Sequence, residues 1–231
     1  MSVELEVDFS KEINKKDIDS LTYEETSDEA VLTSQKKFPN LDILSRDIPY
    51  IPPPSNSSSD TKAELLYIKN FIEQNHSDLT PAVLEKCDDD PVGFVYDYHE
   101  LALRQKISEQ DLRYRVMEDA DILALKLKLL YKRPRPHQLA LYHNVDIKYN
   151  KKVQKNTGSS PSYPSGHTIL AYFAAEICSS MHPEFKSDFM RLAKIVGDSR
   201  TKEGVHYPSD NEYSILLVNE VLMPAFLKGG A

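Results

Sequence analysis

From Thr61 onward the apolar residues of this chain recur at helical spacing, and no stretch sustains the period of two that a strand requires. Leu65, Leu66, Ile68, Phe71 and Ile72 form one such stripe, ending near Gln74. Thr80-Pro81 reads as an N-cap followed by proline at the first helical position, opening a helix towards Lys86. Further helices are predicted over 92–104, over 108–131, where Pro134 and Pro136 end the run, over 166–180, over 183–196, and from Pro208 towards Leu222. Residues 61–231 are therefore expected to form one all-α domain.

The preceding residues differ in kind. Residues 1–37 carry ten acidic and five basic side chains. Val3, Leu5, Val7 and Phe9 alternate with polar residues, a weak strand signal, but an extended or partly disordered arm is the reading adopted. The arm continues as loop over 38–60, with Ile48-Pro49-Tyr50-Ile51-Pro52-Pro53-Pro54 and then a Ser/Asn run. Residues 1–60 are thus read as an acidic, proline- and serine-rich, irregular N-terminal arm. A second polar stretch, 137–163, reads as a long loop, and loops of that length are usually functional or disordered.

The net charge of −8 gives no long-range attraction to nucleic acid or to an anionic membrane, so an anionic ligand needs a local basic pocket. The only two cysteines, Cys87 and Cys178, imply no disulfide framework and are read as buried free thiols. The start of the chain has neither the basic nor the apolar character of a secretory signal. No stretch approaches the ~20 apolar residues of a membrane span, and 215–227 is interrupted by Asn219, Glu220 and Pro224. A soluble, cytoplasmic protein is expected, with no membrane insertion and no nucleic-acid partner, and with a homo-oligomer left open.

Three segments carry chemistry. In the first, Lys128 and Arg135 are seven residues apart, about two helical turns, so they can face one side. A point charge and a planar fork of donors suit a tetrahedral dianion, although this segment taken alone favours Lys128, Lys132, Arg133 and Arg135 merely offsetting a helix dipole. In the second, Pro164-Ser165-Gly166-His167, Ser165 is a natural N-cap and Gly166 lets a ligand approach the backbone at a helix start that favours phosphate. His167 beside it could protonate a leaving oxygen, or be incidental to a capped helix. In the third, running from Ser199-Arg200 to His206 and Asp210, Asp210 could hold one imidazole nitrogen and free the other for attack on phosphorus. The bland alternatives are a capping aspartate beside a surface histidine, and Arg200 as a helix-end charge.

Taken together, these segments resemble the signature of the type 2 phosphatidic acid phosphatase superfamily: Lys-x6-Arg-Pro, Pro-Ser-Gly-His, then Ser-Arg-x5-His-x3-Asp. All eleven fixed positions are matched, and the resemblance covers about residues 112–222. Within it, Ser162-Tyr163-Pro164-Ser165-Gly166-His167-Thr168 and the proline run before residue 55 are most similar to the class A nonspecific acid phosphatases. Pro161 stands where their motif has a leading glycine, and two departures are the lack of a secretory signal, where those enzymes are usually secreted to the periplasm, and the acidic first 37 residues, which have no counterpart.

The resemblance implies a helical bundle and a phosphatase acting on soluble phosphate monoesters, with no metal and no cofactor. It makes His206 the nucleophile that forms a phosphohistidine, Asp210 its orienting partner, and His167 the acid and later the base. Lys128, Arg135, Arg200, Ser165 and the Gly166 amide would bind the phosphoryl group. Two alternatives stand beside it: an enzyme like the vanadium-dependent haloperoxidases, which resemble the same signature, and a phosphate-binding or interaction protein without catalysis. Of the other histidines, His76, His99, His137, His143 and His182 show no metal-ligand spacing. Asp88-Asp89-Asp90 reads as a solvated turn, and Asp121 as a neighbour of Lys128 or an ordinary surface charge.

Overall fold

The computed structural model describes residues 15–108, 110–156 and 158–229, and among them there is helix but no strand. The Val3–Phe9 alternation lies outside the described residues. In chain order the helices are α1 (Lys15–Asp19), α2 (Asp28–Gln35), α3 (Ser59–Glu73), α4 (Pro81–Asp89), α5 (Pro91–Leu103), α6 (Leu112–Tyr131), α7 (Pro136–Ala140), α8 (Lys151–Asn156), α9 (Gly166–Met181), α10 (Lys186–Lys202), α11 (Pro208–Leu217) and α12 (Met223–Gly229). A π-helical turn, Val218–Leu222, joins the last two. The starts follow from side chains that accept an orphan amide: Ser58 from Thr61, Thr80 from Val83, Asp90 from Gly93 and Asp111 from Arg113.

Helix α9 is the centre of the bundle, with α5, α6, α10 and α11 packed around it. Ala171, Ala174 and Ala175 are fully buried and let those neighbours approach closely, while Ile169, Phe173 and Ile177 fill the gaps. Val95 of α5, Leu123 of α6, Phe189 of α10 and Leu217 of α11 close on them with no exposed surface. Burial of each such large apolar side chain is worth about 1.5–3 kcal/mol. Cys87 and Cys178 are buried free thiols in this core. Among the described residues no helix is long and apolar enough to cross a membrane.

Two regions expected to be irregular hold short helices. Ser27 caps α2 through the Ala30 amide at 3.3 Å, and the Lys126 ammonium donates to the Ser34 carbonyl at 2.6 Å, so a lysine of α6 closes the far end of α2. That second contact comes from a residue 92 positions away, which local periodicity does not report. In the 137–163 stretch, α7 and the turn after it bury Leu139, Val145 and Ile147 against Ile18, Leu65, Ile68 and Tyr207, a second, smaller core. This core docks α1 and α3 beside the segment that begins α11.

Candidate active site

Helix α6 ends where Lys132 takes a left-handed conformation (φ 48°) and its amide bonds back to the Lys128 carbonyl at 2.8 Å. Lys128 therefore stays on the last turn of the helix, while Arg133 and Arg135 leave it on an extended, proline-fixed segment. The two basic residues of the first motif do line the same cavity, but not as one helical face.

On the opposite wall, Ser165 is the N-cap of α9. Its hydroxyl receives the Thr168 amide at 3.4 Å, and its own amide donates to the Ser214 hydroxyl at 2.9 Å. The preceding Tyr163–Pro164 peptide is cis. Gly166 and His167 then begin the helix at the cavity surface. The third motif turns at Gly204, whose φ of +70° and whose approach to Tyr149 (an added Cβ would lie 2.9 Å from the Tyr149 Cβ) leave no room for a side chain. That turn carries the chain from Arg200 at the end of α10 to His206 just before α11.

Lys128, Arg135, Gly166, His167 and His206 line a single cavity of about 290 Å³, whose walls also include Ser27, Ala30, Leu125 and Leu170. Ser165, Arg200 and Asp210 lie behind that surface, each with at most 1% of its area exposed. His206 is held on both sides. Its Nδ1 is 3.0 Å from Asp210 Oδ2, and its Nε2 is 2.9 Å from a guanidinium nitrogen of Arg135. Asp210 Oδ2 also accepts from the Tyr207 amide at 3.0 Å and from the Ser162 hydroxyl, and Oδ1 accepts from Arg133 at 2.7 Å. A carboxylate with this many donors is acceptor only, so His206 carries its proton on Nδ1. Arg135 can only donate, so Nε2 presents a lone pair.

The electrostatics agree with that assignment. Burial alone would raise Asp210, but the Arg133 guanidinium, with His206 and Ser162, holds its carboxyl well below the usual carboxylate range. Burial and the Arg135 charge push His206 well below the ordinary histidine value, which leaves it neutral. Burial and the Arg200 charge do the same to His167. Burial also draws Arg135 down to about 10, and burial with the Arg135 charge lowers Lys128 strongly. Lys128 donates to the Pro161 carbonyl at 2.5 Å, and Arg135 to the Ser160 and Val205 carbonyls at 2.9 and 2.8 Å. Neither has a carboxylate within ion-pair distance among the described residues.

Residues outside the three motifs complete the arrangement. Glu64 of α3 pairs with Arg133 at 2.7 Å and accepts the Ser209 amide at 2.8 Å. Arg133 also lies 3.7 Å from the centre of the Tyr207 ring. Asp88, expected in a solvated turn, is in the last turn of α4 and pairs with Arg200 at 2.6 Å with 11% of its side chain exposed. The reason is that α4 packs on α10 and turns Asp88 inward, where its carbonyl oxygen also lies 3.0 Å from His167 Nε2. Arg133 could have been singled out inside its basic motif; Glu64 and Asp88 left no local signal.

Residues 119–218 match the family model described as the PAP2 superfamily, which spans Lys128 through Asp210. The superfamily resemblance read from the three motifs and the all-helical fold it implied are both borne out. The chain is similar to a non-specific acid phosphatase of Providencia stuartii, 33% identical over 96 residues, which cover 41% of this chain and 37% of that protein. It is also similar to an acid phosphatase of Zymomonas mobilis, 29% identical over 69 residues, 30% of this chain and 26% of that protein. The aligned stretches thus span well under half of either relative.

Proposed function

We propose that this protein is a metal-independent phosphatase that hydrolyses soluble phosphate monoesters through a phosphohistidine on His206. The observation that carries the reading is the pairing of a neutral imidazole, its Nε2 lone pair facing a cavity, with two buried cations that have no carboxylate within ion-pair distance among the described residues. A buried charge without a counter-ion is costly, and a phosphoryl dianion supplies one. The two relatives are named as acid phosphatases, which accords with this reading.

In the proposed cycle, the entering phosphoryl group takes over the Arg135 donor that meets Nε2 in the free site. Lys128, Arg135 and the Gly166 amide at the start of α9 neutralise its oxygens from the cavity surface, with Arg200 and Ser165 directly behind them adding positive charge and fixing the helix start. Nε2 forms a bond to phosphorus as the ester P–O bond breaks, and protonated His167 gives its proton to the leaving alcohol oxygen. Asp210 stabilises the positive charge that the imidazole acquires. Water then attacks phosphorus, His167 takes the water proton, the N–P bond breaks, and orthophosphate leaves. A bound dianion raises the His167 pKa by offsetting the Arg200 charge, so the acid is charged when its proton is needed.

The test is phosphate release from p-nitrophenyl phosphate with EDTA present, and its inhibition by vanadate. His206→Ala should abolish turnover and the acid-labile phosphoprotein trapped on rapid quench at alkaline pH. Wild-type turnover in that variant would refute the assigned nucleophile.

A further inference from the structure

The cavity over His206 has an outer part that the cycle above does not use. Its floor is Lys128, Arg135 and His206, which are 4%, 1% and 3% exposed. Leu125 and Leu170 above them are part-buried, and the mouth carries two carboxylates: Asp121, part-buried on α6, and Glu29, exposed in the first turn of α2. Asp121 is two turns before Lys128 on the same helix face, so the acidic and basic groups are stacked along one wall.

Neither carboxylate makes a hydrogen bond or an ion pair among the described residues. Burial raises the Asp121 carboxyl above its ordinary value, against the opposing charges of Lys128 and Lys36 and with the added repulsion of Glu118 and Glu29. A carboxylate held in a cavity wall without a donor is unfavourable by itself and is satisfied by a donor that arrives with a ligand. The phosphoryl group belongs on the cationic floor, which leaves the alcohol part of the ester between Leu125, Leu170 and the two acids.

We infer that Asp121 and Glu29 form a leaving-group subsite that selects phosphate monoesters of amino alcohols, whose ammonium group meets the carboxylates while phosphate occupies the floor. The inference rests on the phosphatase reading and deepens it. Esters whose alcohol carries a second anion meet the same two charges as repulsion, so charge at the far end of the substrate separates good substrates from poor ones. The short apolar belt between floor and mouth suits a linker of a few methylene groups.

O-phosphorylethanolamine and 2-phosphoglycolate differ at that far end by an ammonium in place of a carboxylate at nearly equal size. Their kcat/KM ratio is the readout, in the wild type and in Asp121→Asn, Glu29→Gln and the double variant. The wild type should favour the amine by at least about tenfold, as expected for a charge inverted within several ångströms of two carboxylates. Each single variant should lower the ratio about threefold and the double variant should bring it near one. Added salt should compress the wild-type ratio more than that of the double variant. If Asp121→Asn changes both esters by one common factor and Glu29→Gln changes neither, the carboxylates act on Lys128 or on nothing, and the subsite is refuted. Turnover of p-nitrophenyl phosphate with a wild-type ratio near one refutes the subsite alone. Absence of turnover on all three esters removes the phosphatase reading itself.

Discussion

Arg133 binds Asp210 Oδ1 at 2.7 Å with one nitrogen of its guanidinium and Glu64 at 2.7 Å with the other, and both Arg133 and Asp210 are fully buried. The pair is the anchor of the His206 side chain, because the other carboxylate oxygen of Asp210 holds Nδ1. Truncating Arg133 would leave Asp210 as a buried anion short of its strongest donor. Arg133→Ala is therefore expected to lower unfolding stability by about 3–5 kcal/mol, the range for breaking a buried pair from one side. Arg133→Lys, which keeps the charge but cannot fork, should fall between. Urea unfolding midpoints measure this, and an unchanged midpoint for Arg133→Ala would contradict the role.

Replacing Asp210 by Asn keeps the shape but removes the charge that fixes the Nδ1 proton. The imidazole can then place its proton on Nε2, where no lone pair remains for attack. A loss of about 10²–10⁴ in kcat is expected, with helical content retained by circular dichroism. A loss seen only in KM would mean that Asp210 serves binding rather than the orientation of His206.

Both site histidines have pKa values pushed below the ordinary 6.5. The proposed cycle requires His206 neutral and His167 protonated, so kcat/KM should decline on the alkaline side with an apparent pKa below 6.5. The stability of the free protein follows the same groups. A histidine whose folded pKa is depressed binds more protons unfolded than folded. It therefore contributes stability that is complete above 6.5 and is lost as pH falls through its folded pKa. Thermal melts should show this decline on acidification, and saturating phosphate should reduce it. A pH–rate profile still rising above pH 7 would refute the assigned acid.

An alanine Cβ at Gly166 would lie 3.9 Å from the Ala124 Cβ and 4.0 Å from Lys128 Cε, ordinary contact distances. The fold does not require glycine there, and at the start of a helix alanine is the better helix former. The added methyl would stand on the cavity floor beside Lys128. Gly166→Ala is expected to keep or slightly raise the melting temperature, while KM for p-nitrophenyl phosphate rises about tenfold or more. Equal KM values would show that phosphate does not pack against this backbone.

The helices were legible because each buries one apolar stripe: Leu65 and Ile68 of α3, and Phe173 and Ile177 of α9, fall at the spacing that faces the core. Boundaries followed where a cap or a proline stood, as at Thr80-Pro81 and Tyr207-Pro208. The proximity of Asp210 to His206 was also readable, because four residues around a helix start allow it. What was not readable depends on pairing across the chain. Glu64 is 69 positions from Arg133, Asp88 is 112 from Arg200, and Ser162 is 48 from Asp210. Helix α2 has too few apolar residues to show a stripe and exists through its caps and its docking on α6.

The wall contributed by α2 is tied to the rest by backbone contacts: the Tyr23 amide to the Lys132 carbonyl at 2.9 Å and the Ser27 amide to the Ser159 carbonyl at 3.2 Å. The cavity is thus enclosed only once stretches more than a hundred positions apart have found one another, and non-local closures of this kind carry a loop-closure cost that slows folding. A partly assembled bundle, with α9 already wrapped by its neighbours, would still lack a finished pocket. Whatever chemistry the pocket supports would then depend on contacts that no single helix can make by itself.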